Sequence, residues 1–132
     1  DIWNPSNKSV FEVGKKLTVT ATLQNYGGII ETKVIKNIKE AGTGTLPTPV
    51  VIDGLVALTT SKVNTLAQIN SAIVEEAPEY SAEHDLSLDL TVNDEKITVF
   101  FKKAQIANYK TFIESLTDGC EIKVKKANYK LF

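Results

Sequence analysis

The sequence predicts an α+β chain that is mainly β, an antiparallel barrel or curved sheet carrying two short helices. Three observations predict it. Two stretches alternate apolar and polar residues with period two, and each is followed across a short turn by a second β-rich stretch. Two others place apolar residues at helical spacing, and no apolar run reaches the roughly 18 residues that would span a membrane.

Taken in chain order, residues 15–24 set Leu17, Val19, Ala21 and Leu23 on one face against Thr18, Thr20 and Thr22 on the other, the mark of a half-buried strand. Asn25-Tyr26-Gly27-Gly28 supplies the positive-φ tolerance a hairpin turn needs, and the β-branched run from Ile29 to Ile38 returns. Residues 41–49 hold two Gly and two Pro without periodicity and read as a linker or loop. Val50 to Ile52 suit a short strand. Thr60 or Ser61 can then cap a helix bearing Val63, Leu66, Ile69 and Ile73, which Pro78 ends.

The clearest local signal follows. Leu86, Leu88, Leu90 and Val92 alternate with Asp85, Ser87, Asp89 and Thr91; Asn93-Asp94-Glu95 turns the chain; and Ile97, Val99 and Phe101 share a face on the way back. A second helix at roughly 104–116 carries Ile106, Tyr109, Phe112, Ile113 and Leu116 as a stripe to lay on a sheet. Thr117-Asp118-Gly119 stops it. Cys120, Ile122 and Val124 open a last strand directed toward Phe132. The expectation is one compact domain over 1–132, with sub-divisions at 1–40 (hairpin), 41–49 (linker or loop) and 50–132 (strand, helix, hairpin, helix, strand).

Composition narrows the chemistry. At 132 residues the chain can bury about two thirds of its unfolded surface, enough for a core without metals or disulfides. It contains no Arg and no Met, and one each of Cys, His and Trp. An Asp at position 1 implies processing or a longer parent chain. One Cys and one His cannot furnish the three or four ligands of a zinc site. Without Arg there is no planar fork for bidentate grip on phosphate or carboxylate, although Lys can serve as a point charge.

The net charge of −1 conceals three blocks. Residues 1–74 carry seven Lys and five acids, residues 75–95 carry eight acids and no Lys, and residues 96–132 carry eight Lys and three acids. The expectation is that the acidic stretch is solvated and lies near the Lys-rich end.

A faint internal echo runs through the chain. Placing Gly14 on Gly119 aligns Leu17 with Ile122 and Val19 with Val124, an offset of 105 residues. The order strand, strand, helix, strand over 85–132 resembles an OB-fold, in which a helix sits between the third and fourth strands. The run from Val13-Gly14 through Tyr26-Gly27-Gly28 is similar to the later strands of OB-like modules in bacterial surface or secreted multidomain proteins. That resemblance covers residues 13–40 and 85–132. It implies a barrel-like fold, a place among tandem modules, and an extracellular or cell-surface location. One departure stands out, since the strands resembling the fourth and fifth precede those resembling the first three.

Catalytic groups are sparse. His84 stands beside Glu83 and Asp85, but no G-x-S-x-G elbow supplies a nucleophile. Cys120, in step with Ile122 and Val124, belongs on the core face as an inert thiol. No Asp-x-Asx-x-Asx-Gly loop marks a Ca²⁺ site, and Asp85 and Asp89 lie roughly 13 Å apart along a strand, too far to share an ion. Asn7-Lys8-Ser9 is a glycosylation sequon that carries meaning only in some cellular sources.

The expected role is therefore that of a non-enzymatic binding or structural module of a larger surface-exposed or secreted protein. No cofactor, metal or membrane insertion is expected. Its partners would be neighbouring modules of the same parent or identical subunits. Two alternatives remain open. One is an accessory domain for single-stranded nucleic acid, with Tyr26, Phe100 and Tyr129 as stacking platforms and Lys102, Lys103, Lys123 and Lys125 supplying charge. The other is a self-associating subunit that adds strands at its edges.

Overall fold

A computed structural model describes residues 10–128. Their architecture is mainly β, in two compact units that divide between Thr48 and Pro49.

The first unit is a long two-stranded ribbon of β1 (Lys15–Tyr26) and β2 (Ile29–Thr43), paired antiparallel from Lys15↔Thr43 to Tyr26↔Ile29. Gly27 and Gly28, with φ of 58° and 85°, make the two-residue turn, and the Gly28 N–H donates to Asn25 Oδ1 at 2.9 Å. Positive φ at both central residues gives the type I′ geometry whose twist matches that of the strands. The strands differ in length because all three register shifts place the extra residue on β2. Asn37 and Gly42, at φ of 50° and 103°, take the left-handed conformation at two of these bulges. Alternation along β1 is thus unbroken, and Leu17, Val19, Ala21 and Leu23 share the face to which Ile35, opposite Ala21, also belongs. No described residue of this unit is buried, and Leu23 is 65% exposed.

The second unit is a five-stranded sheet organised around β4 (Leu66–Val74). β3 (Val50–Val51) runs parallel to the start of β4, and β5 (Leu86–Val92) pairs antiparallel with its end through Ile73↔Thr91 and Val74↔Leu90. β7 (Glu121–Asn128) pairs antiparallel with β4 from Leu66↔Asn128 to Ile73↔Glu121. β5 forms an unbroken hairpin with β6 (Glu95–Phe101), closed by Asn93 and Asp94 at φ of 49° and 65°. Among the described residues β6 pairs only with β5 and β7 only with β4, so the sheet is not closed into a barrel.

One of the two expected helices is a strand. Residues 66–74 bury Ala67, Ile69, Ala72 and Val74, with the register slipping by one residue between Ile69 and Ala72. The stripe that reads as helical, Val63, Leu66, Ile69 and Ile73, instead mixes the two faces of the strand with a residue ahead of it, and of the four only Ile69 is buried. Ahead of the strand lie only 3-10 turns at Leu55–Ala57 and Thr60–Lys62, and Asn64 takes φ of 66°. The second helix is present but broken: α1 (Lys103–Ile106) and α2 (Lys110–Glu114) flank a 3-10 turn at Ala107–Tyr109. The stretch expected as a linker at 41–49 begins inside β2 and becomes irregular only after Thr43.

The core of the second unit joins Ile69, Ala72 and Val74 of β4 to Leu88, Leu90, Val92 and Ile97 of the hairpin and to Leu116. Cys120, Ile122 and Val124 pack against it half-buried, which places the thiol on the core side as its alternation requires. A smaller cluster seats Ile106 and Ile113 of the helical segment on Leu86, flanked by Tyr80 and Phe101. The Phe101 ring meets that of Tyr109 edge-on with centroids 5.2 Å apart. Burying these side chains helps fix the helical segment, because neither N-cap residue, Lys102 or Tyr109, caps its helix with its own side chain.

Candidate binding surface

The acidic stretch and the Lys-rich end meet within the second unit. On the outward face of the β5–β6 hairpin, Lys96 Nζ lies 2.7 Å from Asp89 and 3.3 Å from Glu75, and the Thr98 hydroxyl donates to Asp89 Oδ1 at 2.7 Å. The Lys96 ammonium, with help from Thr98, holds the Asp89 carboxyl below its ordinary range, and Asp89 with Glu75 raises Lys96 in turn. At the far end of the hairpin Asp85 accepts the backbone N–H of Lys103 at 2.7 Å and the Lys102 ammonium at 2.9 Å. The Lys103 N–H is the stronger influence lowering the Asp85 carboxyl, followed by Lys102. That N–H belongs to the first turn of α1, where backbone donors lack intrahelical acceptors, so Asp85 ties the helical segment to β5. Lys103 Nζ also reaches Glu83 at 3.5 Å.

These contacts decide what several expected site residues do. Lys102 and Lys103 neutralise local carboxylates. Phe100 is 42% exposed on β6, with Lys102 Nζ 5.9 Å from its ring centre, so these two do lie together. Tyr26, at the hairpin end of the first unit, is 72% exposed and paired across the turn with Ile29. Tyr129 lies outside the described residues, as do the sequon and the final Leu131 and Phe132.

Lys123 and Lys125 are placed differently. They line an open cleft of about 390 Å³ on the β4–β7 pair, together with Lys126, Gln68, Asn70 and Pro49. The register slip between Ala67 and Ile69 leaves an extra residue on β7, which brings Lys125 and Lys126 to the cleft in succession. Gln68 Nε2 donates to Asn70 Oδ1 at 2.9 Å, forming an amide pair beside the ammonium groups. Among the described residues none of the three lysines makes an ion pair. Gln68 and Asn70 were not expected here. Reading 66–74 as a strand would have found the two amides, because they alternate with the buried Ala67 and Ile69.

The remaining groups offer little chemistry. The Ser81 hydroxyl and His84 Nδ1 stand 3.5 Å apart in an exposed loop. Among the described residues no three of His, Cys, Asp and Glu converge on a point where a metal ion could bind, and no helix is long and apolar enough to cross a membrane. No protein family, characterised protein or solved structure matches the chain.

Proposed function

We propose that this chain is a non-enzymatic binding or structural module of a larger, surface-exposed or secreted protein, working by association with neighbouring modules or with copies of itself. The observation that carries this reading is the β1–β2 ribbon, twelve residues paired with fifteen and none of them buried. An isolated two-stranded ribbon is marginal in water, because it removes too little apolar surface to offset the entropy of ordering its chain. The apolar row from Leu17 to Leu23 therefore suits a surface that gains its stability from a partner. The second unit supports an OB-like reading. In its order of β3, β4, β5, β6, helical segment and β7, with β4 pairing both β5 and β7, the helical segment precedes the last strand, as in an OB-like set that begins at β4 with β3 added ahead of it.

Light scattering across a wide range of concentration tests the associative reading, comparing the natural chain with the double variant Val19→Lys, Leu23→Lys. The natural chain should gain mass with concentration and the variant should not. A single-chain mass for both at every concentration overturns association between copies.

The cleft favours a second reading. Three lysines that make no ion pair among the described residues, beside two amides, suit the phosphates of a single-stranded nucleic acid, whose binding would weaken steeply as salt rises. A short single-stranded oligonucleotide at low ionic strength is the probe. Absent or salt-insensitive binding removes this reading.

A further inference from the structure

The 105-residue echo has a counterpart in backbone geometry. Lys15 N–H donates to Glu12 O at 3.2 Å, closing a four-residue turn with Gly14 third at φ of 91°. Cys120 N–H donates to Thr117 O at 3.1 Å, closing the same turn with Gly119 third at φ of 76°. Positive φ at that position is the type II signature, and it calls for glycine. A strand follows each turn, with apolar residues three and five places after the glycine: Leu17 and Val19 in β1, Ile122 and Val124 in β7.

The hydrogen bonds show which edge of each strand is in use. Gly44 N–H donates to Gly14 O at 2.8 Å, flanking the Lys15↔Thr43 pair, so the carbonyl of Lys15 itself faces away from β2. At the matching place in the second unit, Val74 N–H donates to the carbonyl of Cys120 at 2.9 Å, so that carbonyl faces β4. The edge of β1 that has no strand beside it among the described residues thus corresponds to the edge of β7 that β4 occupies. Conversely, β2 occupies the edge of β1 that corresponds to the edge of β7 left open among the described residues.

We infer that β1 and β7 are the same strand of two equivalent units, and that the open edge of β7 is built to receive an antiparallel strand of the β2 kind. A complete unit then orders its strands β4, β7 and a β2-like strand, with the ribbon of the first unit supplying the latter two for an equivalent of β4. This inference rests on the modular reading above and names the partner: a strand of the module's own type.

The test extends the full chain. Residues after Asn128 are replaced by a copy of residues 24–44, which continues from the position matching Asn128 and carries the turn and β2, and amide exchange is followed residue by residue. By the alternation set at Cys120, the N–H groups of Glu121 and Lys123 point to the open edge. Their exchange should slow about tenfold or more in the fused chain. It should stay unchanged when the copied β2 is replaced by a Gly/Ser segment of equal length. Protection at Leu88 and Leu90 reports whether the sheet has folded. Unchanged exchange at Glu121 and Lys123 overturns the inference, and so does a fused chain that loses protection at Leu88 and Leu90. Because the added strand is intramolecular, failure here leaves association between copies standing, and a monomeric chain in light scattering leaves this inference standing.

Discussion

Lys96 reaches diagonally across the β5–β6 hairpin to Asp89, with 2.7 Å between ammonium nitrogen and carboxylate oxygen. That contact joins the acidic stretch to the basic end of the chain on one sheet face, and its protonation has consequences on both sides of neutrality.

Asp89 has a folded pKa below its ordinary 3.8, so its contribution to stability is fully present above that value and is lost as pH falls through the lower folded one. Lys96 is raised above 10.5, so its contribution is full below 10.5 and is lost as pH rises through the folded value. Lys96→Gln should therefore weaken the dependence of folding stability on pH at both extremes. Urea denaturation at about pH 2, 7 and 11 measures it, and identical pH profiles for the variant and the natural chain would count against the pairing.

Leu90 is fully buried among Val74, Ile97 and Leu116. Leu90→Ala should lower unfolding free energy by about 2–5 kcal/mol through lost transfer energy and the cavity left behind. Val56, 90% exposed, is the control, and Val56→Ala should stay within about 0.5 kcal/mol. Denaturant midpoints at constant slope report both.

Asp94 holds φ of 65° at the second position of a two-residue hairpin turn, a conformation that crowds any Cβ. Asp94→Gly creates the Asn-Gly pair that this turn type favours, and should raise stability by up to about 1 kcal/mol after the extra unfolded-state entropy of glycine is subtracted. Gly119→Ala, at φ of 76°, should lose about 1–2 kcal/mol for the opposite reason. A shift of the melting midpoint in the same direction for both would refute the turn argument.

For the nucleic-acid reading, charge reversal in the cleft should matter more than removal of charge at the hairpin end. Lys123→Glu with Lys125→Glu should reduce oligonucleotide affinity at low salt and flatten its salt dependence by about 0.7 in log–log slope for each phosphate no longer neutralised. Lys102→Gln should change little, because Asp85 already neutralises that ammonium. The reverse ranking in a titration would move the interface away from β7.

The parts of the fold legible in sequence are those in which one residue type decides. The Gly27-Gly28 turn and the alternation of Leu86 to Val92 each express a local constraint, and each lies where it was expected. β4 was not legible, because Leu66, Ile69 and Ile73 fall at helical spacing although they lie on both faces of the strand, and only pairing with β7, some 50 residues on, selects the strand. The same distance hid Gln68 and Asn70 from the site. Lys123 and Lys125 were found by charge alone, whereas Lys102 and Lys103, equally basic in sequence, have carboxylate neighbours that only the hairpin brings into range.

The place of β4 also bears on how the second unit folds. β3 precedes it and β5 arrives soon after, but the strand that covers its whole length on the other side comes last, after the hairpin and the helical segment. Closing so long a loop costs entropy before its contacts repay it, so pairing of β7 with β4 should limit the rate of folding. Until then the nascent chain carries an uncovered, apolar strand edge, a template on which a stray strand can settle first.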